Sequence, residues 1–202
     1  FEDGDEFLLI NNDDGPANYS SIYKKIKVIQ NKNSLSFAEN VNIGIAVAKK
    51  DKKNLVFLNN DIIFTVNWFE PLKKNFDFIS IPTNNQLFSY KTDCEKLILK
   101  ATMKLKDFDE NYILLNSIAE KHKKKFNPDQ KFQTPLMPFF CFKIPYKILN
   151  ETGYFDKSFG RGGGEDVDYR IRCAKNGYEV NFVLDSYLLH SHGKSTWDGY
   201  ET

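Results

Sequence analysis

A short apolar run that stops on asparagine and aspartate occurs twice in this chain, as EFLLIN ahead of NDDGPAN and as NLVFLNND (54–61). An apolar run bounded by turn-forming residues is the pattern of a buried strand. Between the two runs, YSSIYKKI (19–26) reads as a short helix and KVIQN (27–31) as a second strand. SFAENVNIGIAVAKK (36–50) reads as a longer helix, with Val41, Ile45 and Ala48 at helical spacing and Ala46 beside them. Strands alternating with helices specify an α/β domain whose sheet is mostly parallel, with helices on both faces. In such sheets ligands bind beyond the carboxyl ends of the strands. NNDDG and NND both fall there.

The remaining chain continues the pattern. FDFISIPT (76–83) reads as a strand, and 92–126 as mainly helical with a break at KDFDEN (106–111). Pro128, Pro135 and Pro138 make 127–138 a loop. FFCFKI (139–144) is a strand, YKILNETG a short helix stopped by Gly153, and DVDYRIRCAKNG (166–177) a helix ended by Gly177. YEVNFVLD and SYLLH read as two late strands. A chain of 202 residues fits one domain. Its expected parts are 1–81, an insertion over 84–138, and 139–202.

Charge excludes one class of partner. With 28 basic against 27 acidic residues, nothing favours a nucleic acid, and KHKKK (121–125) reads as a solvated helix end. Cys94, Cys141 and Cys173 are odd in number and form no C-x-x-C pair, so neither a disulfide framework nor a thiolate zinc site is expected. A reducing cytoplasm fits them. No apolar run is long enough for a membrane span, and the start at Phe1 fits a piece trimmed from a longer chain.

Four clusters can carry chemistry. Asp61, at the end of FLNND, offers the oxygen ligand that Mg²⁺ or Mn²⁺ prefers, although Asn-Asn-Asp is also a common way to leave a strand. In GGGEDVDYRIR, Glu165, Asp166 and Asp168 crowd the first turn of a helix, where acids also serve simply to complement the dipole. Asp168 and Arg172 are spaced to pair along the helix, leaving Glu165 and Asp166 at its mouth for a general base. Gly162, Gly163 and Gly164 let the backbone bend sharply, but they form neither a Walker loop nor a dinucleotide fingerprint. His190 and His192, two apart in LLHSHGKST, point the same way in extended chain. With Lys194 and Ser195 they suit phosphate or metal contact, or plain hydrogen bonding. Asn40 and Asn42 open the helix after the second strand, where phosphate is attracted.

Taken in order, KVIQNKNSLSFAENVNIGIAVA, NLVFLNNDIIFTVNWFEPL, ILNETGYFDKSFGRGGGEDVDYRIRCAKNGYEV and LLHSHGKST resemble a family 2 glycosyltransferase of the GT-A fold, rhamnosyltransferase-like members most of all. The resemblance covers about residues 6–81 and 139–196. It implies that Asp61 ligates a divalent cation holding the donor diphosphate, with Asn59 and Asn60 standing where the family carries acids. Asp166 is implied as the base for the acceptor hydroxyl, supported by Glu165, and Arg172 closes that motif. His190, or His192 in the alternative register, is implied at the metal or diphosphate. Asp13, or Asn11, is implied at nucleobase or ribose. The family's opening strand, which ends in a P-x-Y-N-like turn, has no counterpart before EFLLIN, and 84–138 matches no family pattern.

The expected activity is inverting transfer of a sugar from a UDP-, GDP- or dTDP-sugar to a hydroxyl of a glycan, polysaccharide or glycoconjugate, with Mn²⁺ or Mg²⁺. The expected donor-side residues are Asn11, Asp13, Asn40, Asn42, Asn59, Asn60 and Lys194, with Gly162–Gly164 as a flexible lip over the acceptor. The expected location is cytoplasmic, with peripheral attachment to the inner face of a membrane and the oligomeric state left open. Tyr90, Tyr112 and Phe139 stack on sugars or pack in the core. A noncatalytic sugar-nucleotide or glycan-binding module of the same fold is the alternative. A nucleotidyltransferase is a weaker rival, because no basic glycine-rich triphosphate loop is present.

Overall fold

The computed structural model describes residues 4–13, 26–84, 108–133 and 139–190. Strands β1 (Phe7–Asn11) and β2 (Ile26–Gln30) pair in parallel, Phe7 opposite Ile26 through Asn11 opposite Gln30. Helix α1 (Phe37–Asp51) follows, because SLSFAE writes a reciprocal cap. The Ser36 side chain accepts from the Glu39 amide, and the Glu39 carboxylate accepts from the Ser36 amide at 2.9 Å. The helix ends as Lys52 turns left-handed at φ 52°. Its inner face is Ala38, Val41, Gly44, Ile45 and Ala48. Val41 and Ile45 are wholly buried, each contributing about 1.5–3 kcal/mol. Gly44 allows close approach to Leu55, since a Cβ there would meet Leu55 Cδ1 at 3.2 Å.

The main sheet comprises β3 (Leu55–Leu58), β4 (Ile62–Phe64), β5 (Ile79–Asn84), β6 (Lys131–Phe132), β7 (Cys141–Ile144) and β8 (Val180–His190). Its order is β3-β7-β5-β8-β4, with β6 also on β8. The α/β class expected from sequence holds, with one correction to its sheet. Only β5 and β8 run parallel within it; the other described pairings are antiparallel. Two of these arise because β7 inserts between β3 and β5 in the opposite direction, and the other two because β4 and β6 run against β8.

Other boundaries also differ. YEVNFVLD and SYLLH form a single strand, β8, because Ser186 is buried inside it with its hydroxyl on the Trp68 carbonyl at 2.6 Å. Its pairing with β5 shifts register between Pro82 and Thr83. The loop expected over 127–138 contains β6, and the turn after β3 leads at once into β4. The expected helix at 19–26 lies almost wholly outside the described residues, as do 92–107 of the expected helical segment.

Helices α2 (Glu70–Lys73), α3 (Phe108–Lys123), α4 (Tyr146–Thr152) and α5 (Glu165–Lys175) complete the fold. The end of β8 serves two apolar clusters in alternation. Leu188 joins the principal core with residues of α1, α4, α5 and β7, whereas Tyr187 and Leu189 join Leu115 and Ala119 of α3. The principal core is strongly aromatic: Phe57 stacks on Phe142 at 5.2 Å, and Phe155 on Tyr169 at 4.0 Å.

Candidate active site

Strand pairing brings Asp61 and His190 together. β4 starts one residue after Asp61, and Ile62 lies opposite His190 in the β4–β8 ladder. The result is a contact of 3.1 Å between Asp61 Oδ1 and His190 Nε2, with side chains only 16% and 6% exposed. Below the histidine lies Phe140, its ring stacked at 4.7 Å and 19°. The Phe140 carbonyl also accepts from the Asn59 amide at 2.9 Å, so one residue supports both the histidine and the strand end carrying the aspartate. Sequence reasoning passed over Phe140; only its place at the start of an apolar strand could have drawn attention to it.

Glu165 and Asp166 open α5, as expected, behind glycines that adopt conformations closed to most residues. Gly163 and Gly164 have φ of 108° and 109°. A Cβ on Gly164 would lie 3.0 Å from the Phe159 ring. Glu165 is buried, and its carboxylate accepts from the Gly163 amide at 2.6 Å, holding the loop it follows. Asp166 is half-buried and accepts from the Val167 amide at 2.8 Å. Burial, with the neighbouring Glu165 charge, raises its pKa above the ordinary aspartate value. Arg172 pairs with Asp168 at 2.8 Å and donates to the Thr152 carbonyl at 3.0 Å, fastening α5 to the end of α4.

The two acidic centres share a neighbour. Phe139 and Phe140 are consecutive; Phe139 meets the Tyr169 ring at 6.3 Å, edge to face, while Phe140 carries His190. Tyr169 stands one turn beyond Glu165 and Asp166 on α5. Phe139 is thus a core residue.

Around the ends of β1 and β2 lies a network of amides. Asn11 donates to Gln30 at 2.8 Å and accepts from the Asp13 amide at 3.3 Å, while Gln30 donates to the Asp13 carbonyl at 2.8 Å. Asn12, absent from the sequence-based set, accepts from Asn31 at 2.8 Å and donates to Asn40 at 3.3 Å. Asn40 also donates to the Leu35 carbonyl at 3.2 Å. Asn42 engages the Phe155 backbone through both amide atoms, at 2.9 and 2.8 Å. Asn60 is exposed, as is Asp13. His192 and Lys194 lie outside the described residues, as does Tyr90.

Among the described residues no group of three or more His, Cys, Asp or Glu is arranged to hold a metal ion. Asp61 and His190 supply two donors. Beside them, Ile62, Ile63, Phe64 and Tyr112 line a mainly apolar cleft of about 300 Å³. No described helix is long and apolar enough to cross a membrane.

Neither a protein-family model nor a curated protein matches the sequence. Solved structures do match. GalNAc-T7, crystallised with UDP, GalNAc and Mn²⁺, superposes with a TM-score of 0.60 at 16% sequence identity. The alignment covers 92% of this chain and 37% of the GalNAc-T7 chain. The likeness shows a GT-A-like fold.

Proposed function

We propose that the chain is an inverting glycosyltransferase that moves a sugar from a nucleoside-diphosphate sugar to an acceptor hydroxyl. The observation that carries the reading is the largely buried Asp61–His190 pair, two donors from distant parts of the sequence meeting at 3.1 Å at adjoining strand ends. An oxygen and an imidazole nitrogen suit a divalent cation that takes its other ligands from diphosphate and water. When bound, such an ion supplies Lewis-acid neutralisation of the departing diphosphate. The Mn²⁺ and UDP held by GalNAc-T7 support this choice of ligand class.

Within this reading, Asp61 and His190 would hold the cation, Asp13 or Asn11 meets the nucleoside end, and Asn40, Asn59 and Asn60 complete the donor side. His192 is the alternative to His190 at the cation, and Lys194 belongs to the donor side. Asp166 takes the proton of the acceptor hydroxyl as the new bond forms. Its raised pKa makes it a stronger base than an ordinary aspartate. One base acting opposite the leaving group gives inversion in a single displacement. A nucleoside diphosphate departs without the acid catalyst that a glycosidase needs. The Gly162–Gly164 turn brings the base up to the acceptor.

The test is a panel of nucleotide sugars with a mixed glycan acceptor, with and without Mn²⁺. Release of nucleoside diphosphate and the anomeric configuration of the product are read by NMR. The reading requires metal-dependent release, an inverted product, and loss of transfer in Asp166→Asn with nucleotide binding intact. Calorimetric binding without turnover would instead make the chain a binding module, and pyrophosphate release would make it a nucleotidyltransferase.

A further inference from the structure

We propose that Asn42 is a positioning residue that sets the spacing between α1 and the acidic mouth of α5; its catalytic consequence rests on the transferase reading above. Asn42 lies in the second turn of α1. Its Nδ2 donates to the Phe155 carbonyl at 2.9 Å, and its Oδ1 accepts from the Phe155 amide at 2.8 Å. One side-chain amide thus reads one backbone residue from both sides, as a neighbouring strand would. Asparagine is the shortest side chain carrying both a donor and a planar acceptor. Aspartate keeps only the bond from the Phe155 amide, and alanine keeps neither.

The clamp extends directly to α5. Phe155 is 2% exposed, and its ring lies flat on Tyr169 at 4.0 Å and 5°. The Tyr169 hydroxyl returns to the Gly153 carbonyl at 3.2 Å, and Arg172 from the same helix holds the Thr152 carbonyl at 3.0 Å. The segment 152–155 is therefore gripped by α5 at Thr152, Gly153 and the Phe155 ring, and by α1 at the Phe155 backbone. Two residues earlier in the same helix, α1 is tied through Asn40 to Asn12, in the turn after β1. A continuous path of direct contacts runs from the donor-side amides through Asn42, Phe155 and Tyr169 to the helix that begins with Glu165 and Asp166. Displacing a reacting group by 1 Å costs about a hundredfold in rate, so a strut at this place acts on turnover rather than on donor affinity.

The experiment compares wild type, Asn42→Ala and Asn42→Asp at a temperature well below each melting point. Amide hydrogen exchange across 153–166 is read first. The strut requires exchange there to quicken at least about tenfold in Asn42→Ala, less in Asn42→Asp, with β7 unchanged. On the kinetic side, kcat falls about tenfold or more in Asn42→Ala and less in Asn42→Asp. The Kd for nucleoside diphosphate with Mn²⁺ stays within about twofold. Unchanged exchange over 153–166 overturns the proposal, and so does an undiminished kcat in a folded Asn42→Ala. Equal loss in both variants together with weakened nucleotide binding also overturns it, since that is general destabilisation. A wild type that transfers no sugar defeats the transferase reading, and the exchange measurement alone then decides whether Asn42 sets this spacing.

Discussion

Acidification withdraws stability from this fold through His122. The residue has no exposed surface. Its ring packs on Phe126 and Tyr187 at centroid distances of 5.0 and 5.1 Å. Its Nε2 lies 3.0 Å from the Thr83 hydroxyl, which itself donates to the Ser186 carbonyl. Burial, reinforced by the charges of Lys125 and Lys123, lowers its pKa from 6.5 to about 4. Below about pH 6.5 the unfolded chain therefore takes up a proton that the folded chain refuses. The stability is complete above that pH and drains away as pH falls towards 4. At about 1.36 kcal/mol per unit, the drop from 6.5 to about 4 amounts to about 3 kcal/mol. Urea unfolding of wild type and His122→Phe, followed from about pH 7.5 to about pH 4, isolates this contribution from the titration of carboxylates common to both. The phenyl ring keeps the aromatic contacts, and Thr83 keeps its bond to Ser186. The variant should lose about 3 kcal/mol less than wild type over the same range. Parallel pH curves for the two proteins would refute the argument.

Three further outcomes follow from the site and its supports. Gly164→Ala, which places a Cβ at φ 109° and 3.0 Å from Phe159, costs about 2 kcal/mol of stability and sharply reduces turnover; a thermal melt and a transfer assay check the two effects. Glu165→Gln removes a negative charge that helps raise the Asp166 pKa, so the acid limb of kcat/KM moves to lower pH, as a pH–rate profile reads directly. Lys143 is 3% exposed and donates to the carbonyls of Leu72, Lys73 and Asn75, each at 2.8 Å. Lys143→Met strands those acceptors at a cost of about 2 kcal/mol, measured as a lower urea midpoint.

Local signals carried most of the elements. Ser36 and Glu39 wrote the start of α1, Gly153 the end of α4, and FLLIN and LVFL their strands. What escaped was non-local. Residue periodicity does not reveal that β7 threads between β3 and β5, so a sheet read as mostly parallel is mixed. The break read at Asp185–Ser186 vanishes because Trp68, far away in sequence, accepts the Ser186 hydroxyl. β4 and β6 are three and two residues long, too short for any pattern to register. In the site, Asp61 and His190 were both singled out by residue type and position at strand ends, whereas their mutual contact depends on the β4–β8 register. Asn42 was assigned to the donor by its place near a helix start, while Phe155, its partner in the fold, is invisible from that stretch. Asn12 was hidden between two more conspicuous neighbours in NNDDG.

The β4–β8 ladder also has a consequence for the order in which the chain matures. Asp61 leaves the ribosome well before His190, which emerges after α5 and nearly all of β8 have been made. Pairing Ile62 with His190 closes one of the longest loops in the molecule, a contact that cannot form until that strand exists. Nascent chains and products truncated before β8 hold an aspartate without its histidine. Such fragments lack the assembled pair, so completion of the sheet is itself the step that brings Asp61 and His190 together.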